Sequence, residues 1–367
     1  MKWKTIVSLG LCALFSPAQA GQLIVGQVVP LTGLEATQGR AYSAGLQMCI
    51  AQINKTGGVN GHTFTLVRHD DGGKPPETLA LTRKLLAESR PLVLAGYFGN
   101  RNIDGLVESG VLADEKISLL GYRVSEVRGE SPNLYNVRAG LREEVNKFVA
   151  HVATIGITRL GLVYEPSPNA AALVEVLQEA ATRNNSKVVV KVSSARLADA
   201  ITAVQAESPQ AVLIVTSGTA AASFIEQYRS AGGAAQLFAH SGADIEQLSK
   251  RLGEEQMKGV AIMQVTPTPY QNRSRLSKEL ADAVAAATGP EIPISYAMME
   301  GFIACRVIVE AVRRQGARVS REGMAAALDA MSGYDLGGYL IGYQPQKRSG
   351  SRLVELSIIT ADGKIRQ

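Results

Sequence analysis

Ile53–Pro75 reads INKTGGVNGHTFTLVRHDDGGKP, and the local chemistry of this stretch sets the fold class. Ile53 and Asn54 close a helical pattern that begins near Arg40, with apolar residues at Ala44, Leu46, Met48, Cys49 and Ile53. Gly57 and Gly58 end it, because the residue after a helix often needs a positive φ, which glycine reaches without a Cβ clash. His62–Arg68 then reads as a strand. Pro75-Pro76 suits the first turn of a new helix, where proline's missing N–H costs nothing. Upstream, Leu23–Val29 (LIVGQVV) is another strand. Strand, helix, strand, helix is the repeating unit of a parallel α/β sheet.

The unit continues outward. Pro91–Ala95, Ile117–Leu120, Arg159–Tyr164, Lys187–Val192, Ala211–Val215 and Val260–Val265 are short strands rich in Val, Ile and Leu, most of them separated by helical patterns. Near-continuous apolar strands of this kind are covered on both faces. Beyond Val265 the pattern changes. Helical segments at about Arg273–Thr288, Tyr296–Gln315 and Arg321–Met331 precede a Gly337-Gly338 turn, and Tyr339–Tyr343 and Arg352–Thr360 alternate like antiparallel strands. Two domains without a long linker between them imply lobes that exchange segments.

Met1–Ala20 has the layout of a secretory signal: Lys2 and Lys4, an apolar stretch Thr5–Phe15, and Ala18-Gln19-Ala20 before Gly21. Leu11 before Cys12 does not fit a lipid-attachment box, so cleavage after Ala20 and a periplasmic location are expected. Of 367 residues 347 then remain, and the formal charge of +5 falls to +3 with the loss of two lysines. At roughly 150 residues per domain that is two domains. So weak a charge, without Lys/Arg clusters among stacking aromatics, argues against nucleic acid. No mature stretch reaches the roughly 18 apolar residues of a membrane span. Cys49 and Cys305 both lie on apolar helix faces, a pattern compatible with buried thiols and with a disulfide.

Catalytic signatures are missing. There is no GxxxxGK[ST], GxSxG, CxxC or HExxH, and Gly96-Tyr97-Phe98-Gly99 lacks the spacing of GxGxxG. His69-Asp70-Asp71 is the best metal-like cluster. Without a third ligand at helical or hairpin spacing it reads as a strand end whose carboxylates hold backbone N–H groups. No enzyme activity, metal or cofactor is expected. What recurs instead is a set of polar loops after strands: Pro30–Gly39, Gly96–Asn102, Gly121–Ser125, Tyr164–Asn169, Thr216–Thr219 and Ser241–Asp244. In open parallel sheets ligands bind outside the carboxyl ends of the strands, where helix N-termini offer free N–H donors. One such loop is ordinary capping; six without a catalytic set point to a binder of a small polar, anionic molecule.

Several passages together resemble one family. Ile53–Pro75 follows the "IN-x-x-GGVNG…DD-x-x-x-P" passage of the periplasmic solute-binding proteins of ABC importers, in their branched-chain amino-acid-binding (type I) group. Val29–Gly33 is similar to that group's first βα loop, Tyr135–Arg138 to its first crossing between lobes, Gly259–Pro269 to the second, and Ser295–Ala311 to the long helix after it. The resemblance covers the whole mature chain in order. It implies two Rossmann-like α/β lobes with parallel sheets and three interlobe crossings. Lobe one is then Gly21–Arg138 plus Thr268–Gly333, and lobe two Ala139–Pro267 plus Tyr334–Gln367. It also implies a transport receptor that closes over a small molecule and delivers it to permease subunits, with a monomer expected. The alternative is a ligand sensor presenting its closed form to a signalling receptor.

The resemblance also implies contacts. Asn100, Arg123 and Ser125 match positions that hold a ligand carboxylate, and Tyr296 matches an aromatic at the start of the long helix. Gln38 and Asn169 stand where the group has aromatics, and Ser241 where it has the acid that holds an ammonium. Arg101, Tyr122 and Ser217, on the same polar loops, complete the candidate set. Glu165 and Asp244 are the acids nearest to replacing Ser241, although the alignment does not turn them toward the cleft. A zwitterion without such an acid leaves its ammonium poorly paired. The expected ligand is therefore a small carboxylate, first one without an amino group and next an amino acid.

Overall fold

The first five strands are β1 (Gln22–Val29), β2 (Thr63–Asp70), β3 (Val93–Ala95), β4 (Leu119–Leu120) and β5 (Leu134–Tyr135). They pair in parallel in the order β2-β1-β3-β4-β5. The chain then builds a second sheet from β6 (Arg159–Tyr164), β7 (Lys187–Ser193), β8 (Ala211–Val215), β9 (Gln236–Ala239) and β10 (Val260–Gln264). Its parallel part runs β7-β6-β8-β9-β10, so both sheets have the same strand order. A short hairpin pairs β11 (Tyr334–Asp335) with β12 (Leu340–Ile341), and β13 (Glu355–Ile359) and β14 (Ile365–Arg366) extend the second sheet in antiparallel fashion. This is a computed structural model describing residues 21–288, 291–344, 347–359 and 365–366; the expected signal segment lies outside them.

Burial explains the parallel pairing. Every residue of β8 is at most 1% exposed, with Leu213 facing one hydrophobic cluster and Val212 and Ile214 the other. A strand buried on both faces needs helices on both, which right-handed βαβ crossovers supply. Asp70 and Asp71 hold the first βα corner rather than offering free ligands. Asp70 accepts from the N–H groups of Leu31, Thr32 and Gly72, and Asp71 from Gly73 N–H and the Thr78 hydroxyl.

Two strands escape the sequence pattern. β5 is two residues long and Gln236–Ala239 (QLFA) is short among Gly and Ala residues, so neither has a periodicity to find. The expected lobe boundary at Gly333/Tyr334 is corrected as well. Leu336, Tyr339, Ile341 and Tyr343 sit in the hydrophobic cluster beside the first sheet, and the chain joins the second only at Glu355. Tyr339–Tyr343 pairs with Tyr334–Asp335, not with the last segment, because both flank the tight Gly337-Gly338 turn.

The first lobe is organised by two 20-residue helices, Ala36–Lys55 and Tyr296–Gln315, that touch backbone to backbone. A Cβ on Gly45 would stand 2.0 Å from the Met298 carbonyl oxygen, and one on Gly301 2.0 Å from that of Tyr42. One turn further along each helix, Cys49 and Cys305 form a disulfide, resolving the two readings of these cysteines. Gly301→Ala should therefore lower the unfolding free energy by about 3 kcal/mol, since neither helix backbone can yield without repacking the core. Urea unfolding of the oxidised protein measures this; wild-type stability in the variant would refute so close an approach.

Candidate functional site

In each sheet the strand order reverses once, between β1 and β3 and between β6 and β8. Crevices for ligands form outside the carboxyl ends of strands at such switch points. Here the two crevices face each other across one cavity of about 560 Å³. The first lobe lines it with Leu34, Glu35 and Gln38 after β1, Phe98–Asn102 after β3 and Arg123–Ser125 after β4. The second contributes Glu165–Pro168 after β6, Ser217–Thr219 after β8, and Gly242 and Gln247 after β9. Cavities of a few hundred Å³ suit small ligands.

Two helices begin at this cavity, Asn100–Glu108 from the first lobe and Gly218–Ser230 from the second. The first N–H groups of a helix have no partner within it and carry partial positive charge. Gly99, at φ 94°, lets the chain turn into the first of them. The Asn100 side-chain oxygen accepts from Ser125 N–H at 2.8 Å, which ties two of the lining loops together. Across the cavity, Glu165 Oε1 accepts from Ser217 N–H at 2.8 Å.

Behind the wall lies a chain of buried charges. Arg123 donates to Gln38 Oε1 at 2.8 Å, lies 5.3 Å from the Phe98 ring centroid, and places Nε 3.4 Å from Glu300 Oε2, an ion contact without a hydrogen bond. The other Glu300 oxygen accepts from Arg138 at 3.2 Å. Arg138 then reaches into the second lobe, donating to Ser241 Oγ at 2.6 Å and to Glu144 Oε1 at 3.4 Å. Glu144 also accepts from Ser241 N–H and Oγ–H. Burial works against the Arg138 charge, but Glu300 and Glu144 outweigh it and hold its pKa above the ordinary value. A second strut joins the lobes where Glu246 accepts from Tyr296 N–H at 2.8 Å and from the Tyr270 hydroxyl.

A family model described as periplasmic binding protein matches residues 22–362. The chain belongs to that family. It is 30% identical over 117 residues to a Leu/Ile/Val-binding protein homolog 2 of Brucella abortus, a stretch covering 30% of this chain and 32% of that relative. Solved structures align far more completely. A substrate-binding periplasmic protein from Ralstonia solanacearum shares 29% identity at a TM-score of 0.86, over 94% of this chain and 99% of that one. An extracellular ligand-binding receptor from Verminephrobacter eiseniae shares 26% at 0.87, over 94% and 100%.

In this periplasmic binding protein, Gln38, Asn100, Arg101, Arg123, Ser125 and Ser217 meet at the cavity. Four other candidates do not line it. Tyr122 faces a separate cavity on the far side of its loop, since neighbouring residues of an extended segment point opposite ways, and burial pushes its hydroxyl up to about 12. Asn169 is the N-cap of Ala170–Arg183, just past the lining Pro168. Ser241 is consumed by Arg138 and Glu144. Tyr296 is buried, with its hydroxyl 3.2 Å from Ser357 Oγ. Conversely, Glu35 and Phe98 line the cavity from outside the candidate set, and Glu165, named only as a replacement for the acid at Ser241, lines it as well. Glu35 precedes the first long helix directly, and Phe98 lies within a loop already marked as polar. The alignment gave no sign that Glu165 turns inward.

His240, fully buried beside Ser241, sits with Nε2 2.9 Å from the Thr216 carbonyl and Nδ1 accepting from Gly242 N–H. Both nitrogens are satisfied only in the neutral ring, and burial pulls its pKa down to about 4. The unfolded chain therefore takes up a proton first. The contribution of neutral His240 is complete above about pH 6.5 and is lost as pH falls toward 4, by about 3 kcal/mol. His240→Asn, which keeps an acceptor for Gly242, should flatten this part of the stability profile; an unchanged slope in urea titrations between those pH values would refute it. Arg138→Ala should cost about 3–5 kcal/mol, because Glu300 and Glu144 are left buried without their cation. Loss of under 1 kcal/mol in the same assay would show that the network carries no such weight.

Proposed function

We propose that this protein is the extracytoplasmic substrate-binding component of an ABC importer, capturing a small carboxylate-bearing molecule, an organic acid or an amino acid, between its lobes. The observation that carries this reading is the meeting of two switch-point crevices, with two helix N-termini, at one cavity. Each lobe alone offers half a site. A ligand that touches both is held better in a closed form than in an open one, and only that difference shifts the equilibrium. Asn100, Arg101 and Ser125 from one side, and Ser217 and Thr219 from the other, supply the polar contacts. Met1–Ala20 directs the chain to the periplasm and is then removed, and there the protein works as a monomer and hands its cargo to membrane permease subunits.

Native mass spectrometry of protein isolated from the periplasm identifies the co-purifying molecule. Small-angle scattering of stripped protein should then show a smaller radius of gyration when that molecule is restored. Arg101→Ala should weaken its binding about tenfold, the loss of one charge-assisted contact. An unchanged scattering profile at saturation would eliminate closure, and unaltered affinity in the variant would remove Arg101 from the contact set.

A further inference from the structure

The helix Asn100–Glu108 opens at the cavity without a cap of its own. Its N-cap is Gly99, which has no side chain to offer, and among the described residues nothing accepts from the N–H groups of Asn100, Arg101 and Asn102. A first turn with open donors frays unless its side chains are fastened elsewhere. Asn100 is fastened on one side, to Ser125 N–H. Asn102 is fastened from behind. It lines the cavity yet is only 4% exposed. Its Nδ2 donates to Thr78 Oγ at 2.9 Å and lies 3.5 Å from Asp71 Oδ2. Thr78, on the helix Pro75–Ser89, and Asp71, at the corner before it, are both buried.

The direction of these bonds follows from Asp71. Its carboxylate only accepts, and Oδ2 takes the Thr78 hydroxyl proton at 2.6 Å, ahead of the Lys74 carbonyl at 3.1 Å. With that single proton spent, Thr78 meets Asn102 as an acceptor. The Asn102 atom facing both must therefore be the NH2 group. A flipped amide would set its oxygen against the Asp71 carboxylate and find no proton on Thr78. The other branch of the amide, Oδ1, has no donor among the described residues and is not sealed from solvent. A side chain this deeply buried, with one branch locked and the other unpartnered at a cavity, is placed for an occupant.

We propose that Asp71 and Thr78 are positioning residues for the ligand site: acting through Asn102, they fix the first turn of Asn100–Glu108 and the polarity of the Asn102 amide. The occupant then meets open backbone donors and one carbonyl acceptor in a set geometry. This deepens the reading of the cleft as the ligand site and rests on it. Neither residue lines the cavity, but Gly72 and Gly73, next to Asp71, do. Asp71 Oδ1 accepts from Gly73 N–H at 2.8 Å, so one carboxylate holds two separate parts of the wall. Its charge gives the chain of bonds a single direction. An amide at position 71 would be able to donate to Thr78, free the hydroxyl to donate to Asn102, and let the Asn102 amide turn round.

The test uses the mature protein, Thr78→Val, Thr78→Ser and Asp71→Asn. In NMR spectra of the isotope-labelled, ligand-free protein, the Asn102 side-chain amide is assigned by its absence from Asn102→Ala. Its protons should exchange slowly in wild type, about tenfold faster in Thr78→Val, and near the wild-type rate in Thr78→Ser, which keeps the hydroxyl. Calorimetric titration with L-leucine, L-glutamate, isovalerate and benzoate should find at least one that binds. Its affinity should fall about tenfold in Thr78→Val and Asp71→Asn and return in Thr78→Ser. Slow exchange that persists in Thr78→Val overturns the lock on Asn102. Thr219→Trp, which fills the cavity from an exposed position, separates the remaining outcomes. Binding that Thr219→Trp abolishes but Thr78→Val and Asp71→Asn leave unaltered overturns the positioning role alone. Binding that survives Thr219→Trp, or no binding of any of these carboxylates at millimolar concentration, overturns the cleft reading and the positioning role with it.

Discussion

Arg138 stands where the chain first leaves one lobe for the other, and its buried charge is the constraint around which the rest is arranged. A guanidinium so deeply desolvated is tolerated only with full compensation. Glu300 supplies part of this from the first lobe, Glu144 and Ser241 the remainder from the second. The crossing is thereby tied to both sides, and the same Glu300 reaches past it to Arg123 on the cavity wall. A contact that alters Arg123 is thus two side chains away from the junction of the lobes. The arrangement also explains why Arg123 and Arg138 are poor guides to the charge of the cavity's occupant: their charge is spent on the scaffold.

The network needs its parts held to within fractions of an ångström, and the helix pair in the first lobe does this. Glu300 is the neighbour of Gly301, whose lack of a side chain lets the helix Tyr296–Gln315 lie against the backbone of Tyr42. The Tyr42 hydroxyl in turn donates to the Gly121 carbonyl, at the base of the loop that carries Arg123. One contact between helices therefore sets the depth of Glu300 and the position of its partner together. The Cys49–Cys305 disulfide closes the same interface one turn away, joining segments 256 residues apart in sequence. Cross-linking so long a loop restricts the unfolded chain most.

Much of the architecture was legible in the chain because it follows from short-range rules. Buried parallel strands announce themselves as runs of Val, Ile and Leu, and helix ends as Gly57-Gly58 or Pro75-Pro76. The short strands β5 and β9 are held by their neighbours rather than by a pattern of their own, and so they left no trace. The candidate residues divide in the same manner. Gln38, Asn100, Arg123 and Ser217 lie on loops directly after central strands and meet at the cavity. Tyr122, on one of the same polar loops, and Ser241 and Tyr296, matched by the family resemblance, are turned elsewhere by side-chain direction.

The sequence by itself determined the alternating strands and helices and the polar loops that follow the strands, because hydrophobic period and turn chemistry are local properties. Only the tertiary structure decided which polar residues are free to meet a ligand. A side chain's charge is written in the sequence, but its availability depends on what stands behind it. Arg123, Arg138 and Ser241 are consumed by Glu300 and Glu144, partners that in most of these contacts lie about 100 to 200 residues away along the chain. Glu35 and Glu165, 130 positions apart, face one cavity because two sheets of the same strand order come together at their switch points.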